Sequence, residues 1–393
     1  MELNPFSHAF HSDPYPLYRR LRDEAPVYRN DALDFFALSR WDDVLAASLD
    51  HDTYSSAKGT VLEMDPAMIE LMPIILFMDP PRQTRLRRLV SKAFTPARIA
   101  ALEPFIRAIA VELLDRFAAA GRGDFIADFA ARMPIEVIST LIGVAEGDRE
   151  MVRELTDQAL TRDADEPAFN AAALAANAQL SQYFFALARA KRAAPGDDMT
   201  SLLSQAEFID EDGTSQRLSD VELAGFCALL SGAGNETVTK LLGNAAVLLA
   251  RHPEQRRRVV EQPARLANTV EECLRYWPPA QYQMRTLTRP VTLHGVTMAR
   301  DARVLLLTGS ACRDERQFPD ADRFDIDRDV PMQVAFGHGA HKCLGAALAR
   351  LETRIGLEEL HARIPEYTID EARCERVHMS NVHGFASVPM TWG

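Results

Sequence analysis

The chain has 393 residues, of which 47% are hydrophobic, and its formal net charge is −12. This length and composition allow an extensive buried core, and length alone suggests two or three domains. The acidic balance argues against general nucleic-acid binding. The five cysteines are odd in number and unpatterned, which argues against a disulfide framework and indicates a reducing compartment, so we expect a cytoplasmic protein.

The amino-terminal segment MELNPFSHAFHSDPYPLYRRL carries early charges and prolines and has no apolar core of signal-peptide length. The longest apolar stretch, Leu71 to Met78, is too short to span a bilayer and contains Pro73. We therefore expect neither export nor a membrane anchor.

Helical periodicity dominates the chain, and strand patterns are few and short. Helices are predicted over 97–120, 129–143, 148–160, 168–192, 219–250, 254–276 and 344–362. Strands are predicted at Val27 to Tyr28, at Phe35 to Leu38, at Val291 to Met298 around a His294-Gly295 turn, and at Val304 to Leu307. Because no repeat, low-complexity tract or linker divides the chain, we predict one helix-dominated domain over 1–393.

The segment FMDPPRQTRLRRLVSKAFTP is unusually basic for an acidic chain. On a helix, Gln83 and Arg87 would share one face. Arg85, Arg88 and Lys92, at i, i+3 and i+7, would form a stripe on the opposite face. Solvated surface charge is the ordinary explanation of such a stripe, and a docking surface for an acidic protein is the alternative.

The segment SGAGNETVTKLLGNAAVLLA predicts a central helix, because it is apolar nearly all round. Ala233 and Gly234 remove bulk from one turn, whereas Glu236 and Thr237 add an acid and an alcohol that packing alone would not select. The Thr237 hydroxyl can bond the Ala233 carbonyl at i−4 and loosen the helix locally. The alternative is an ordinary exposed glutamate beside a threonine that a helix tolerates.

In EECLRYWPP, Glu272 and Arg275 are spaced i, i+3 and can pair on one helix face. The neighbouring Cys, Leu, Tyr and Trp residues indicate that the pair is partly buried. A buried guanidinium needs further partners for its donors, so a third group is expected.

The run FGHGAHKCLGAAL carries the most specific pattern in the chain. Its glycines can take positive φ and let backbone N–H groups approach a sulfur, while a helix beginning near Leu344 would direct its positive end toward a thiolate. The specified positions are Phe336, Gly337, Gly339, His341, Cys343 and Gly345.

Two other interpretations of Cys343 stay open from the residues alone. It is an inert buried thiol, the commoner state of an intracellular cysteine, or it joins His338 and His341 at a zinc site. Structural zinc prefers four ligands in closely spaced pairs, and the chain contains no CxxC.

The spacing around Cys343 resembles the haem-ligand signature of the cytochrome P450 haem-thiolate monooxygenases, and the resemblance to soluble bacterial members extends over essentially the whole chain. It implies a mainly α fold with small β-sheets, a single triangular domain, and haem b between the central helix and the cysteine loop. Cys343 would be the axial ligand of the haem iron. Further cofactor contacts are implied for Phe336, Gly337, Gly345, Ala233 and Gly234.

The resemblance assigns roles to the other polar residues. Thr237 would hydrogen-bond the bound dioxygen, and Glu236 would help to relay protons through water, which makes both catalytic. Arg285, His341 and Arg87 would hold the haem propionates. Gln83 replaces the histidine usual in the family and would hydrogen-bond a propionate without contributing charge.

The third partner of the Glu272–Arg275 pair would be Arg323, because Ala321, Asp322, Arg323 and Phe324 match a P-x-R-F loop of the family. Ala321 replaces the proline of that loop.

The implied activity inserts one oxygen atom of O2 into a hydrophobic small molecule of terpenoid, steroid or fatty acyl type. Electrons would come from NAD(P)H through a reductase and a ferredoxin or flavodoxin that docks on a monomer near Arg85, Arg88, Lys92 and Lys342. A peroxygenase that uses H2O2 and a non-catalytic haem sensor or carrier are the alternatives, and the Glu236–Thr237 pair argues against both.

Overall fold

The computed structural model describes residues 1–64, 69, 74–161, 163, 169–209, 213–379 and 381–393. The α-helices of the first half are α1 His8–Ser12, α2 Tyr15–Glu24, α3 Trp41–Leu49, α4 Arg82–Ser91, α5 Pro96–Ala101, α6 Glu103–Ala118, α7 Arg132–Ile142, α8 Arg149–Leu160 and α9 Ala171–Ala193. Those of the second half are α10 Met199–Gln205, α11 Asp220–Arg251, α12 Pro253–Glu261, α13 Leu266–Tyr276, α14 Thr308–Ala311 and α15 Ala346–Arg363.

The strands are short and form small sheets. They are β1 Val27–Asn30, β2 Phe35–Leu38, β3 Tyr54–Ser55, β4 Arg122–Asp124, β5 Glu207–Ile209, β6 Ser215–Arg217, β7 Gln283–Leu287, β8 Val291–Leu293, β9 Val296–Met298, β10 Arg303–Leu306, β11 Thr368–Ile369, β12 Glu375–Arg376, β13 Phe385–Ser387 and β14 Pro389–Thr391. The largest sheet has the order β1-β2-β10-β7-β3, and only its β2–β10 pair is parallel.

The helix α11 is the centre of the fold, and it packs against α7, α9, α13 and α15. Ser219 begins it with a capping box, in which the Ser219 hydroxyl accepts from the Glu222 N–H and the Glu222 carboxylate accepts from the Ser219 N–H. From Val238 to Leu249 every residue is buried, as expected for a helix that is apolar all round. This burial positions the turn that contains Ala233 and Thr237.

The predicted mainly α fold with small sheets is confirmed, with several differences in helix boundaries. The segment 254–276 is two helices, α12 and α13, because Pro263 begins a separate 3-10 turn between them. The segment 97–120 is likewise divided, at Leu102, into α5 and α6. The helix after the cysteine begins at Ala346, two residues later than expected.

The predicted hairpin at His294-Gly295 forms between β8 and β9, and both turn residues have positive φ. Residues 71–73 of the apolar stretch Leu71 to Met78 lie outside the described residues, and Ile75–Phe77 forms a 3-10 turn. Over the described part of the chain, no helix combines the length and apolar character that a membrane span requires. The extent of the single domain over 1–393 stays a prediction.

Candidate active site

Backbone hydrogen bonds hold the segment from Phe336 to Gly345, here called the ligand loop, in one conformation. The Cys343 N–H donates to the Phe336 carbonyl at 2.8 Å, and the Gly337 N–H donates to the Val334 carbonyl at 2.8 Å. Gly337 and Gly339 have φ of +64° and +69°, which favours glycine at both positions. A Cβ on Gly339 would also lie 2.5 Å from the Ser48 carbonyl oxygen, so the loop approaches α3 as closely as a backbone can.

The Cys343 thiol is accessible to solvent although protein surrounds it, as expected of a residue inside a concave site. Burial raises the thiol pKa, whereas a hydrogen bond from the Gly345 backbone and the charges of Arg87 and Arg350 lower it. The surroundings therefore contain a hydrogen-bond donor and cations that stabilise a thiolate. Without a metal, burial has the larger effect on the thiol pKa.

Glu271, Gln333 and Arg350 form a polar cluster that contacts the ligand loop, and the sequence did not predict it. Glu271 accepts from both Arg350, at 3.0 Å from Nη2, and the Gln333 amide, at 2.7 Å. The Arg350 guanidinium lies 4.6 Å from the centre of the Phe336 ring. Phe336 thus packs against Arg350, and Arg350 pairs with Glu271 of α13. These two contacts link the ligand loop to α13.

The central helix presents a small surface in the middle of its buried length. Ala233 is exposed and Thr237 half-buried, whereas Ser231, Asn235 and Glu236 are buried. The Thr237 hydroxyl donates to the Ala233 carbonyl at 2.8 Å, as predicted. The predicted local loosening is not found, because α11 is a continuous α-helix from Asp220 to Arg251.

Gly234 differs from Ala233 in its surroundings. A Cβ on Gly234 would lie 3.2 Å from Cγ1 of Ile138 on α7. The missing side chain therefore allows α7 and α11 to pack closely at Gly234. The expected contact of Gly234 with the cofactor stays a prediction.

Two arginines and a histidine, Arg285, Arg87 and His341, meet at the ligand loop, and Asp79 is a carboxylate whose charge acts on Arg285 and His341. The Arg285 side chain is buried and donates a hydrogen bond to the Met284 carbonyl at 2.7 Å. It forms no ion pair with a described carboxylate. Burial lowers its pKa to about 10. The His341 Nε2 atom is buried and has no hydrogen-bond partner among the described residues. Burial and the nearby Arg285 lower the pKa of His341 to about 4.

Arg87 completes this group at the edge of the loop, where its guanidinium donates to the Lys342 carbonyl. Burial lowers the Arg87 pKa and the Cys343 sulfur raises it. A buried guanidinium and an unpartnered imidazole nitrogen are costly without a ligand, and a dianionic ligand beside Cys343 would pair with both. The residues present therefore fit haem, whose two propionates supply those charges.

Gln83 contacts the ligand loop directly. Its side chain is buried, and the amide nitrogen donates to the Ala340 carbonyl in the ligand loop at 2.6 Å. The amide oxygen accepts from the Thr84 hydroxyl at 3.3 Å. Gln83 thus anchors α4 to the ligand loop. The expected hydrogen bond from Gln83 to a propionate stays a prediction, because the amide nitrogen carries a second donor hydrogen.

Glu236 is not the exposed glutamate of the alternative interpretation. Its carboxylate lies 3.0 Å from the Lys240 Nζ one turn later, and both side chains are 5% exposed. Burial and the nearby charge of Glu236 raise the pKa of the Asp157 carboxyl group on α8 to about 7. Sequence reasoning missed Asp157 and Lys240. The i, i+4 spacing of Glu236 and Lys240 was available as a signal, but the distant Asp157 had none.

The predicted Glu272–Arg275 pair is present and completely buried, with two N–O distances of 2.7 and 2.8 Å. The prediction that Arg323 supplies the third side chain is wrong. Arg323 offers Arg275 only its carbonyl oxygen, at 3.2 Å, and its guanidinium pairs with Asp325. Arg328 is the cation on Glu272, at 3.3 Å, because the loop turns back between the two arginines.

Apolar side chains from distant parts of the chain meet at α11. Ile69 and Ile74 pack in one cluster with Met64 and with Leu229 of α11. Ala280 forms an isolated β-bridge with Val382 of the terminal loop. Residues 65–68 and 70–73, next to Ile69 in the chain, and residues 162 and 164–168 lie outside the described residues.

Comparison with known proteins decides the family. The model of the family described as Cytochrome P450 matches residues 177–360. Cytochrome P450 123 of Mycobacterium tuberculosis is similar to this chain, with 44% identity over 392 residues that cover 99% of this chain and 96% of that protein. The chain belongs to the cytochrome P450 family. It is therefore a cytochrome P450 monooxygenase, and the members of this family bind haem b through a cysteine thiolate.

Other P450s agree in length and fold. The vitamin D(3) 25-hydroxylase of Pseudonocardia autotrophica is 37% identical over 395 residues, covering 99% of this chain and 96% of that protein. P450BioI, in complex with acyl carrier protein ligated to hexadec-9Z-enoic acid, matches with a TM-score of 0.87 and 30% identity, covering 98% of this chain and 100% of that one. The complex of the P450 CYP109E1 from Bacillus megaterium with testosterone matches with a TM-score of 0.85 and 31% identity, covering 97% and 99%. Such bacterial P450s are monooxygenases that act on small molecules.

Proposed function

We propose that this P450 inserts one oxygen atom of O2 into a hydrophobic small molecule of terpenoid, steroid or fatty acyl type. The observation that carries the proposal is the accessible Ala233–Thr237 turn, next to the fully buried part of α11, in a chain that also presents an accessible Cys343. A thiolate on the loop would ligate the haem iron and favour O–O cleavage, and an alcohol on the helix can pass protons.

Each group of the site has a defined task. Cys343 holds the iron, and Arg285, His341 and Arg87 hold the propionates. When bound, haem supplies the oxidising chemistry, in which two electrons and two protons split O2 and one oxygen atom enters a C–H or C=C bond. Thr237 donates or passes a proton at its Oγ1, because that hydroxyl lies on the accessible side of the helix. Glu236 supplies protons to it through water.

The apolar character of the substrate follows from the side chains that meet above α11. Met64, Ile69 and Leu229 belong to one hydrophobic cluster, and a Cβ on Gly59 would touch Ile69 and the Met284 methyl group. Flexible methionines let a pocket adapt to its ligand. One relative is named for vitamin D(3), one is crystallised with testosterone and one with an acyl carrier protein ligated to hexadec-9Z-enoic acid, which supports the steroid and fatty acyl types.

The electron donor is an acidic ferredoxin or flavodoxin that takes electrons from NAD(P)H through a reductase. Its docking site is the basic patch, defined as Arg85, Arg88, Lys92 and Lys342. Arg88, Lys92 and Lys342 are exposed, and the described residues give none of these three side chains a carboxylate partner. Because the Lys342 backbone adjoins Cys343, a donor on this patch is close to the thiolate side of the haem. We place the working enzyme in the cytoplasm as a monomer.

The test is an optical titration of the ferric protein with terpenes, steroids and fatty acids, followed by turnover under isotopically labelled O2. A substrate that displaces water from the iron shifts it from low to high spin. We expect one class to give this shift and a product that carries one labelled atom when NAD(P)H, a ferredoxin and its reductase are supplied. Product that forms only with added H2O2, and then contains peroxide oxygen, would instead identify a peroxygenase.

A further inference from the structure

Histidines from opposite ends of the chain meet where α1 packs against the terminal loop, the connection between β12 and β13. The centre of the His378 ring on that loop lies 5.1 Å from the centre of the His8 ring and 5.1 Å from that of the His11 ring. His8 and His11 are spaced i, i+3 on α1 and therefore lie on one side of it. His383 lies further along the same loop. These four residues are here called the histidine seam.

The inner part of the histidine seam is shielded from water. His11 is 4% exposed and His383 is 1% exposed, whereas His378 is half-buried and His8 is exposed. The Nδ1 atoms of His11 and His378 and both ring nitrogens of His383 are buried without a hydrogen-bond partner among the described residues. A protonated imidazole carries a charge and two N–H donors, so this environment favours the neutral rings.

The terminal loop connects the histidine seam to the centre of the fold. The His383 N–H donates to the Pro279 carbonyl at 2.7 Å. The next residue, Gly384, packs on α11, where a Cβ would lie 2.6 Å from the Lys240 Cβ. A movement of the loop at the histidine seam would therefore reach the central helix.

Positive charge already lies beside the histidine seam. Arg376 acts on His383, and the buried Arg376 Nη1 atom has no hydrogen-bond partner among the described residues. The Arg376 guanidinium lies 3.9 Å from the centre of the Phe385 ring. Arg251 pairs with Glu371 and Arg313 pairs with Asp322, so these two arginines are compensated. The other charged and titratable groups that act on Arg376 or on its neighbour Tyr15 are Asp13, Cys374, Arg251 and Arg313. Because Asp13 is exposed, a further cation on His11 or His383 gains little compensation.

The direction of the pKa shifts agrees with this geometry. Burial and the neighbouring His378 lower the pKa of His11 from 6.5 to about 4. Burial and the charge of Arg376 lower the pKa of His383 to about 3. A lowered histidine pKa means that the closed seam excludes protons that freed histidines would bind. The closed form is therefore favoured in full above about pH 6.5 and loses this advantage as the pH falls from there toward about 4.

We propose that the histidine seam is a pH-sensitive contact, in which neutral rings hold α1 on the terminal loop and protonation of His11 and His383 under acidic conditions releases it. The inference is independent of the proposed function, because it concerns the attachment of α1 and not the chemistry at the haem. In the part of the chain that the structure describes, no three His, Cys, Asp or Glu side chains are arranged to hold a metal ion.

Hydrogen–deuterium exchange of the full-length, haem-loaded protein measures this release. Protection factors, which remove the effect of pH on intrinsic exchange, are compared at about pH 7.5 and about pH 5. A histidine pKa of about 4 in the closed form and 6.5 in the open form changes the opening constant about 30-fold between these pH values. We expect the protection of α1 and of the terminal loop to fall by at least this factor, and that of Val238 to Leu249 in α11 to stay constant. Constant protection of α1, or an equal fall in α11, would overturn the inference.

His11→Leu tests which histidine responds. Leucine fills a similar volume and cannot take up a proton, so we expect the fall in α1 protection to be about 30-fold smaller than in the wild type. The matched control is His361→Leu. Burial also lowers the pKa of His361 to about 4, but that residue lies on α15 and stacks on Tyr367. The control should keep the wild-type response. A wild-type fall in His11→Leu would contradict the proposal.

His378→Phe provides a second test that leaves the buried histidines in place. Phenylalanine keeps a ring between His8 and His11 but cannot become charged, so a protonated His11 meets less repulsion. We expect α1 at about pH 5 to be several-fold better protected than in the wild type. The reduced carbon monoxide spectrum shows that each variant is folded around its haem. Equal protection of His378→Phe and the wild type at that pH would contradict the proposed repulsion between the rings.

Discussion

The Gln83 amide nitrogen lies 2.6 Å from the Ala340 carbonyl oxygen and donates a hydrogen bond to it. This contact joins α4 to the ligand loop three residues before the cysteine. Because the Gln83 side chain is buried and Ala340 is half-buried, the bond fixes the loop more firmly than a surface contact would. It gives the glutamine at this position a structural task that needs no charge.

Gln83→Ala should therefore loosen the ligand loop. The lost bond and the unpaired Ala340 carbonyl cost about 1–3 kcal/mol, and we expect haem to leave the variant several-fold faster. The rate of haem transfer to excess apomyoglobin measures this. Ser91→Ala, a change to a half-buried residue at the other end of α4, serves as the control. Equal transfer rates for Gln83→Ala and the wild type would show that the bond does not hold the loop.

Arg285→Met should affect the haem-loaded and haem-depleted proteins in opposite directions. Arg285 is a buried cation with no described carboxylate partner, so its removal stabilises the chain without haem. With haem bound, the same change removes the partner of a propionate and speeds haem loss about tenfold or more. Thermal unfolding of both forms tests this. Destabilisation of the haem-depleted form would mean that Arg285 has another partner.

Arg328 and Arg323 should differ sharply, although both are close to Arg275 in space. Arg328→Ala removes the second cation from a fully buried Glu272, which keeps Arg275, and it removes three bonds to loop carbonyls, which costs about 2–4 kcal/mol. Arg323→Ala breaks only the pair of an exposed guanidinium with Asp325 and has a much smaller effect. Chemical unfolding of the two variants compares them directly. Equal losses would remove Arg328 from the buried network.

Thr237→Ala should uncouple turnover from electron supply. NADH is still consumed, and H2O2 is released in place of product, because the hydroxyl that passes the proton is missing. Thr237→Ser keeps the hydroxyl and should retain most of the coupling. The ratio of H2O2 to product is the measurement. A fully coupled Thr237→Ala would exclude Thr237 from proton delivery.

Arg88→Glu should slow the first electron transfer about tenfold at low ionic strength and weaken its dependence on salt, because the charge at the centre of the basic patch is reversed. Stopped-flow reduction by an acidic ferredoxin records both effects. Arg189→Glu makes the same change at an exposed position of α9 and should leave the rate as in the wild type. If the two variants behave alike, docking does not use the basic patch.

Sequence patterns predicted the features that depend on interactions between residues close together in the chain. The glycine spacing before Cys343 predicted a tight loop, and the apolar segment around Thr237 predicted the buried helix and its i−4 hydroxyl bond. The split between α12 and α13 was visible in principle, since Pro263 interrupts the helical pattern.

Contacts between distant segments were not predictable in this way. Arg328 and Arg323 are both arginines of one acidic loop, and only the path of the backbone decides which of them reaches Glu272. Asp157 reads as an ordinary surface acid of an amphipathic helix until α8 is packed beside α11. The hydrogen bond from Gln83 to the Ala340 carbonyl joins two segments that are distant in the chain, so no local pattern reveals it.

The reduced carbon monoxide spectrum of the purified protein tests the central claim, that Cys343 binds the haem iron as a thiolate. We expect the red-shifted band that only thiolate ligation gives, and we expect Cys343→His to bind haem without that band. A wild type that lacks the band, or a Cys343→His variant that keeps it, would contradict the assignment of Cys343 and the proposed oxygen chemistry with it.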